Sequence, residues 1–159
     1  MILPLAVFLF VPAYYKFWFY PTTTYYTRFI KFTLGVQEEA VYFGGFSANV
    51  NRNYKIAEFL TQSSRQTDRV FMWDPDSAAV YALSKRLPPI KYVADYHIND
   101  YSSKVDEAEN IASSPPKFII LSNRYPYPEL SPLLKSSYLL INQVEGVNIY
   151  SRIDFAPTK

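Results

Sequence analysis

Apolar and polar positions follow one another along the chain in blocks that predict an α/β domain. The central block spans 68–89 and reads DRVFMWDPDSAAVYALSKRLPP. Its apolar run, Arg69–Trp73, is typical of a buried strand, and the turn and capping residues 74–77 follow at once. The segment Ala78–Lys85 then predicts a helix. A strand that leads directly into a helix is the opening half of a βαβ unit, which requires a parallel sheet covered by helices.

The blocks on either side extend this α/β pattern. A helix is expected from Asn51 or Asn53, with Ile56, Ala57, Phe59 and Leu60 on its apolar face. After the central block the pattern predicts a strand over 90–94 and then a helix capped by Ser102 or Ser103. A central strand over 117–122 and a short helix from Pro128 are expected next. The last prediction is a hairpin at the sheet edge, with strands 138–142 and 147–152 around Glu145-Gly146. The predicted fold class is therefore a small three-layer α/β domain whose sheet is mostly parallel and ends in a C-terminal hairpin.

The segment Met1–Tyr20 is the most hydrophobic part of the chain, and its only charge is Lys16. At ~1.5 Å per residue it would just cross a hydrocarbon core of ~30 Å, which predicts a membrane-spanning helix. The aromatic cluster at 14–20 indicates a belt at the membrane surface, and Pro21 with three threonines is expected to end the helix. The predicted domains are a transmembrane helix over 1–20, an aromatic membrane-proximal connector over 21–50 with a short helix at Gln37–Phe43, and a soluble α/β domain over 51–159.

Composition excludes several classes of function. Four glycines and no glycine-rich motif argue against a nucleotide-binding loop, and no cofactor is expected. A net charge of +2 without a run of Lys or Arg argues against nucleic-acid binding. Cysteine is absent, and the only histidine, His97, is expected in a loop or at a sheet edge, so neither a metal site nor a catalytic triad is predicted.

The predicted strand ends carry the candidate ligand-facing residues. In an open parallel sheet, ligands bind beyond the carboxyl ends of the strands. Those ends present Trp73, Asp74 and Asp76 after one strand, and Asn123 after another. The two aspartates could serve as an acid/base pair or hold a hard cation. The sequence favours another explanation, because Asp-Pro-Asp-Ser before a helix is what N-capping and a favourable helix dipole require on their own.

The order of segments resembles the C-terminal part of a known family. The resemblance covers nearly the whole chain and is most specific over Val70–Tyr92. It rests on an apolar N-terminal segment followed by LGVQEEAVYFGGF, NYKIAEFL, DRVFMWDPDSAAVYALSKRLPPIKYV, PPKFIILSN and SYLLINQVEGVNIYSR. This order resembles bacterial polytopic glycosyltransferases of the GT-C class, of the dolichyl-phosphate-mannose-protein mannosyltransferase and aminoarabinose-transferase type.

The resemblance implies an accessory role in sugar transfer. In that family a many-helix membrane domain takes sugar from a polyprenyl-phosphate donor and passes it to an acceptor, and a small α/β domain lies on the extracytoplasmic side. The family's catalytic acid lies in a loop near the amino terminus of the whole enzyme, so no residue of this chain inherits it. The expectation is a fragment that lacks the catalytic loop, at the cell membrane, with its α/β domain outside the cytoplasm. The positive charges of Lys16, Arg28 and Lys31 favour the opposite orientation.

A second hypothesis needs no missing enzyme. The chain could be a membrane-anchored α/β module that binds a ligand or a partner and has no enzymatic activity, with Asp74, Asp76 and Asn123 at its binding site. A free-standing soluble enzyme is the third hypothesis, but the sequence offers no convincing pair of nucleophile and base.

Overall fold

The computed structural model describes residues 2–16 and 21–155. By its internal contacts the chain divides into two compact units, Met1–Ser47 and Ala48–Lys159. The first unit is helical, with α1 at Ile2–Tyr14, α2 at Thr22–Thr33 and α3 at Glu39–Gly44. Helices α2 and α3 contact each other through aromatic rings, since Phe32 stacks on Tyr42 with their centroids 4.3 Å apart. A hydrogen bond adds to this contact, because Arg28 Nη1 donates to the carbonyl of Gly45 at 2.6 Å.

The predicted membrane-spanning helix over 1–20 is wrong. Helix α1 has only 13 residues, which at ~1.5 Å each gives about 20 Å, well short of a hydrocarbon core of ~30 Å. None of the helices in the described part of the chain has both the length and the apolar character that crossing a membrane requires. The threonines after Pro21 begin α2 rather than end a helix, whereas the helix expected at Gln37–Phe43 is confirmed as α3. Part of the expected aromatic belt, 17–20, lies outside the described residues.

The second unit contains one four-stranded mixed sheet with helices on both of its faces. The strand order is β1-β2-β4-β3. In chain order the elements are α4 (Val50–Ser63), β1 (Val70–Trp73), α5 (Ser77–Ser84), α6 (Asp95–Tyr101), α7 (Lys104–Ser113), β2 (Phe118–Ser122), a 3₁₀ turn (Pro128–Leu130), α8 (Ser131–Ser137), β3 (Tyr138–Val144) and β4 (Val147–Arg152).

The expectation of a mostly parallel sheet is also wrong. Only β1 and β2 run parallel, while β2–β4 and β3–β4 are antiparallel. The hairpin does form, but it is not confined to the sheet edge, because its second strand inserts beside β2 and leaves β3 outermost.

The strand predicted over 90–94 is absent because prolines stop its ladder. Leu87 forms a single parallel bridge with Arg69, and its carbonyl accepts from the N–H of Val70 at 3.1 Å. The next two residues are Pro88 and Pro89, which have no N–H to donate, so the pairing cannot continue. A short helix that the pattern did not predict, α6, follows this segment and carries His97, which was expected in a loop or at a sheet edge.

Two apolar clusters fill the space between the sheet and its helices. Because successive strand residues point to opposite faces, Val70 and Met72 pack with α4 and α5 while Phe71 and Trp73 pack with α6, α7 and α8. The first cluster includes Ile56, Leu60, Val80 and Ile120. The second includes Ile98, Ile111, Ile119 and Leu130. All eight side chains are essentially inaccessible to solvent. Strands β1 and β2 are therefore covered on both faces, as parallel strands require.

Candidate functional site

The ends of β1 and β2 lie at one edge of the sheet. Trp73 is the register partner of Leu121, so Asp74 follows β1 at the level where Ser122 ends β2. Trp73 ends β1, Asp74 and Asp76 follow it, and Asn123 follows the parallel neighbour β2, which is the order of elements that the sequence predicted. Their side chains, however, belong to three different sets of contacts.

Asp74 is held in a buried ion pair. Its Oδ1 lies 2.9 Å from Nη2 of Arg52, a residue of α4, and both side chains are buried. The same Oδ1 accepts from the backbone N–H of Asp76 at 3.0 Å. Arg52 also donates from Nε and Nη2 to Oδ1 of Asn53 at 3.2 and 3.0 Å, and Asn53 is buried too. The carboxylate therefore fastens α4 to the end of β1.

Asp76 is the more accessible of the two aspartates. Its side chain is 42% exposed, and its Oδ2 accepts from Nδ2 of Asn49 at 2.7 Å and lies 3.8 Å from Nη2 of Arg52. It occupies the N-cap position of α5 but makes no side-chain capping hydrogen bond. The capping explanation of Asp-Pro-Asp-Ser is therefore wrong in detail, because both carboxylates turn toward α4. By contrast, Ser103 caps α7 as expected, since its Oγ accepts from the N–H of Asp106 at 3.0 Å.

Trp73 lies among aromatic and cationic neighbours rather than in a cleft. Its ring centroid is 4.6 Å from that of Tyr127, and Nζ of Lys104 lies 5.0 Å from the Trp73 centroid. In the described part of the chain, Nε1 of Trp73 and Oδ2 of Asp74 are buried without a hydrogen-bond partner. Both atoms are enclosed, so a ligand would reach them only if the surrounding chain opened. Burial, followed by the carboxylates of Glu129 and Glu107, raises the pKa of Tyr127.

Asn123 belongs to the hairpin contacts. Its backbone N–H donates to the carbonyl of Gly146 at 2.9 Å, and its Oδ1 accepts from Nδ2 of Asn148 at 2.9 Å. These bonds join the end of β2 to the turn and the first residues of β4. The structure thus brings Asp74 and Asp76 to α4, Trp73 to Tyr127 and Lys104 on the other face of the sheet, and Asn123 to the hairpin.

The arrangement has little capacity for catalysis. A general acid must reach the atom that it protonates, but Asp74 is 1% exposed and ion-paired. His97 contacts the rings of Tyr96 and Tyr101, with centroids at 4.3 and 6.4 Å. Among residues 2–16 and 21–155, no group of three or more metal-ligating side chains comes together.

Two buried arginines were not identified from the sequence. Arg52 and Asn53 share the buried side of α4 with Ile56, Ala57 and Leu60, so extending the helical periodicity backward by one turn would have marked them. Arg86 lies at the other end of α4, where Nη2 donates to the carbonyl of Ser64 at 2.6 Å and Nε to its Oγ at 2.8 Å. Only its position just after α5 was visible in the sequence.

Comparison with known proteins identifies no relative. No protein-family model matches the chain, and no curated protein or solved structure is significantly similar to it.

Proposed function

We propose that the chain is the noncatalytic α/β part of a membrane glycosyltransferase that transfers sugar from a polyprenyl-phosphate donor. The proposal rests on the resemblance in segment order described above. In this role the chain belongs at the cell membrane, with its α/β unit outside the cytoplasm, and the catalytic acid comes from another part of the enzyme. The α/β unit contributes to acceptor binding or to closure over the active site.

The buried pair of Arg52 and Asp74 is the observation that carries the noncatalytic part of the proposal. Asp74 is the best-placed carboxylate at the strand ends, yet its side chain is almost inaccessible and faces a buried guanidinium at 2.9 Å. A carboxylate that is enclosed and held in this way cannot reach the atom that a general acid must protonate. The exposed candidate, Asp76, bonds to Asn49, and the neighbouring carboxylate of Asp74 is already held by Arg52.

The surface of the first unit agrees with a role beside another apolar surface. Helix α1 is apolar on all sides, and Leu5, Phe8, Leu9 and Phe10 are all at least 60% exposed. Exposed apolar patches of this kind mark contacts with other proteins or with lipid. The apolar helices of a catalytic membrane domain would supply such a contact.

An activity assay with two forms of the enzyme tests the proposal. The purified chain is incubated with a radiolabelled polyprenyl-phosphate-linked sugar, and neither transfer nor hydrolysis above background is expected. The gene region upstream of Met1 is then read; the proposal expects a continuous frame for several apolar helices with an acidic pair after the first. Deletion of 48–155 from that longer protein should abolish or strongly reduce transfer.

Two outcomes would refute the accessory role. One is sugar turnover by the purified chain that disappears in Asp74→Asn, since this would make Asp74 catalytic. The other is a stop codon and a ribosome-binding signal directly upstream of Met1, since the catalytic part would then be missing from the gene.

A further inference from the structure

A polar cleft lies in the second unit, along α7 and the segment that begins at Pro89. Its volume is about 410 Å³, which falls within the range of small-molecule sites, ~300–1,000 Å³. We call it the α7 cleft. One side is apolar, from Pro89 and Ile90, and the remaining lining side chains are polar: Lys91, Glu107, Asn110, Ser113 and Ser114.

Glu107 is a buried carboxylate that lines this cleft without a cationic partner. The residue is 4% exposed. Its oxygens accept from Oγ of Ser102 at 2.7 Å and from Nδ2 of Asn110 at 3.3 Å, both neutral donors. Among the described residues, no Lys, Arg or His lies within ion-pair distance of it. A buried charge without an opposite charge is unfavourable, and each carboxylate oxygen can accept a further hydrogen bond.

Lys91 brings the opposite charge to the same cleft. It is exposed, and its Nζ lies 4.9 Å from the ring centroid of Tyr92. Lys91 and Glu107 both line the cleft, but they do not form an ion pair with each other. The cleft therefore offers one anionic and one cationic group that are separated, together with amide and hydroxyl groups.

We propose that the α7 cleft binds a small zwitterion, namely a free α-amino acid. The ammonium group of the ligand would meet Glu107 and supply the missing positive charge, while its carboxylate would meet Lys91. Asn110 and the serines would bond the remaining polar atoms, and Pro89 with Ile90 would contact an apolar part of the side chain. A simple cation would leave Lys91 unpaired and a simple anion would leave Glu107 unpaired, so the two charges together select the zwitterion. This inference depends only on the cleft and is independent of the function proposed above.

Titration of the full chain with matched probes tests the charge requirement. The probes are L-glutamine, N-acetyl-L-glutamine without the ammonium group, L-glutaminamide without the carboxylate, and methyl β-D-glucoside as a neutral polar ligand. Binding is followed by backbone amide chemical shifts. L-glutamine should give saturable shifts at 90–91 and 107–114, and each of the other probes should bind at least about tenfold more weakly, the ratio that corresponds to ~1.4 kcal/mol.

Variants assign the two charges. Glu107→Gln should weaken L-glutamine binding by about tenfold or more and should remove its advantage over the N-acetyl probe. Lys91→Ala should remove the advantage over the amide probe. Lys135→Ala, an exposed lysine of α8 outside the cleft, should bind L-glutamine like the unaltered chain.

Several results would overturn the inference. These are the absence of saturable shifts at the cleft up to on the order of 10 mM L-glutamine, equal binding of a probe that lacks one charge, stronger binding of the glucoside, or unchanged binding in Lys91→Ala. If Glu107→Gln loses its native circular dichroism, Lys91→Ala decides alone, because Lys91 is exposed and its removal leaves no buried group unpaired.

Discussion

At the scale of single residues, Arg52 and Asp74 form an ion pair in which both charged side chains are buried. Removing one partner of a buried ion pair leaves the other uncompensated, which costs about 3–5 kcal/mol. We therefore expect Asp74→Asn to lower the free energy of unfolding by about that amount in urea denaturation. Asp76→Asn is the matched control, because its carboxylate is 42% exposed and 3.8 Å from Arg52, and it should change stability by less than about 1 kcal/mol. Equal effects of the two variants would show that Asp74 is not the anchor of α4.

Arg86 gives a second prediction at this scale. Its guanidinium donates at 2.6 Å to the carbonyl of Ser84, the last residue of α5, and at 2.6 Å to that of Ser64, the C-cap of α4. Both carbonyls lie at helix ends, where they lack partners inside the helix. Arg86→Ala should reduce the free energy of unfolding by about 1–3 kcal/mol, since buried carbonyls lose their donors. Within the described residues, the exposed side chain of Arg69 makes one hydrogen bond, of 3.4 Å, to the carbonyl of Pro88, so Arg69→Ala should stay within about 0.5 kcal/mol of the unaltered chain. A smaller effect of Arg86→Ala than of Arg69→Ala would contradict this.

The candidate site shows how far residue patterns reach. The position of Asp74 after a buried strand follows from local chemistry, because the apolar run and the turn residues are adjacent in the sequence. Its partner Arg52 lies 22 positions earlier, and only the packing of α4 on the sheet brings the two together. A strand-end carboxylate looks the same in sequence whether it faces a substrate or an arginine, so the site prediction could find the position but not its use.

At the scale of elements, the hairpin turn requires left-handed backbone conformations, and substitutions at the turn can test this. Glu145 and Gly146 both have positive φ, 47° and 81°, the conformation of a two-residue type I′ turn. Gly146→Ala should destabilise the chain by about 1–2 kcal/mol, because a Cβ is unfavourable in that region. Gly146→Asn should cost less, since Asn adopts left-handed backbone more readily than Ala. Thermal melts of the two variants compare them directly, and an Ala variant as stable as the Asn variant would argue against this turn geometry.

Elements were predictable where a short segment determines its own structure. The strand β1, helix α5, central strand β2 and the two hairpin strands each combine an apolar pattern with local turn or capping residues, and all five elements are confirmed. The segment 90–94 has the composition of a strand but no strand beside it to pair with, because Pro88 and Pro89 interrupt the ladder after Leu87. The insertion of β4 beside β2 depends on which sheet edge is free, and local sequence contains no such information.

At the scale of the whole molecule, the sheet separates two apolar clusters, and both include tyrosines whose burial couples folding to pH. Tyr81 accepts from the N–H of Met72 at 2.9 Å in the first cluster. Tyr127 and Tyr138 belong to the second, where their hydroxyls donate to the carbonyls of Lys104 and Pro116. Burial is the main cause that raises the pKa of all three. As pH rises, these three hydroxyls therefore lose their protons in the unfolded chain before they lose them in the folded chain.

The raised pKa values of these three tyrosines make the folded chain less stable at high pH. The contribution of a raised pKa to stability is complete below the unfolded value of 10.0 and decreases as pH rises above it. We expect the free energy of unfolding to fall above about pH 10, and the tyrosinate absorbance to show an early phase from exposed tyrosines and a late phase that coincides with loss of helical circular dichroism. Tyr127→Phe should reduce the late phase. Complete formation of tyrosinate before any loss of helical signal would mean that these three hydroxyls are accessible in the folded chain. The two apolar clusters would then be packed less tightly than the contacts of Tyr81, Tyr127 and Tyr138 indicate.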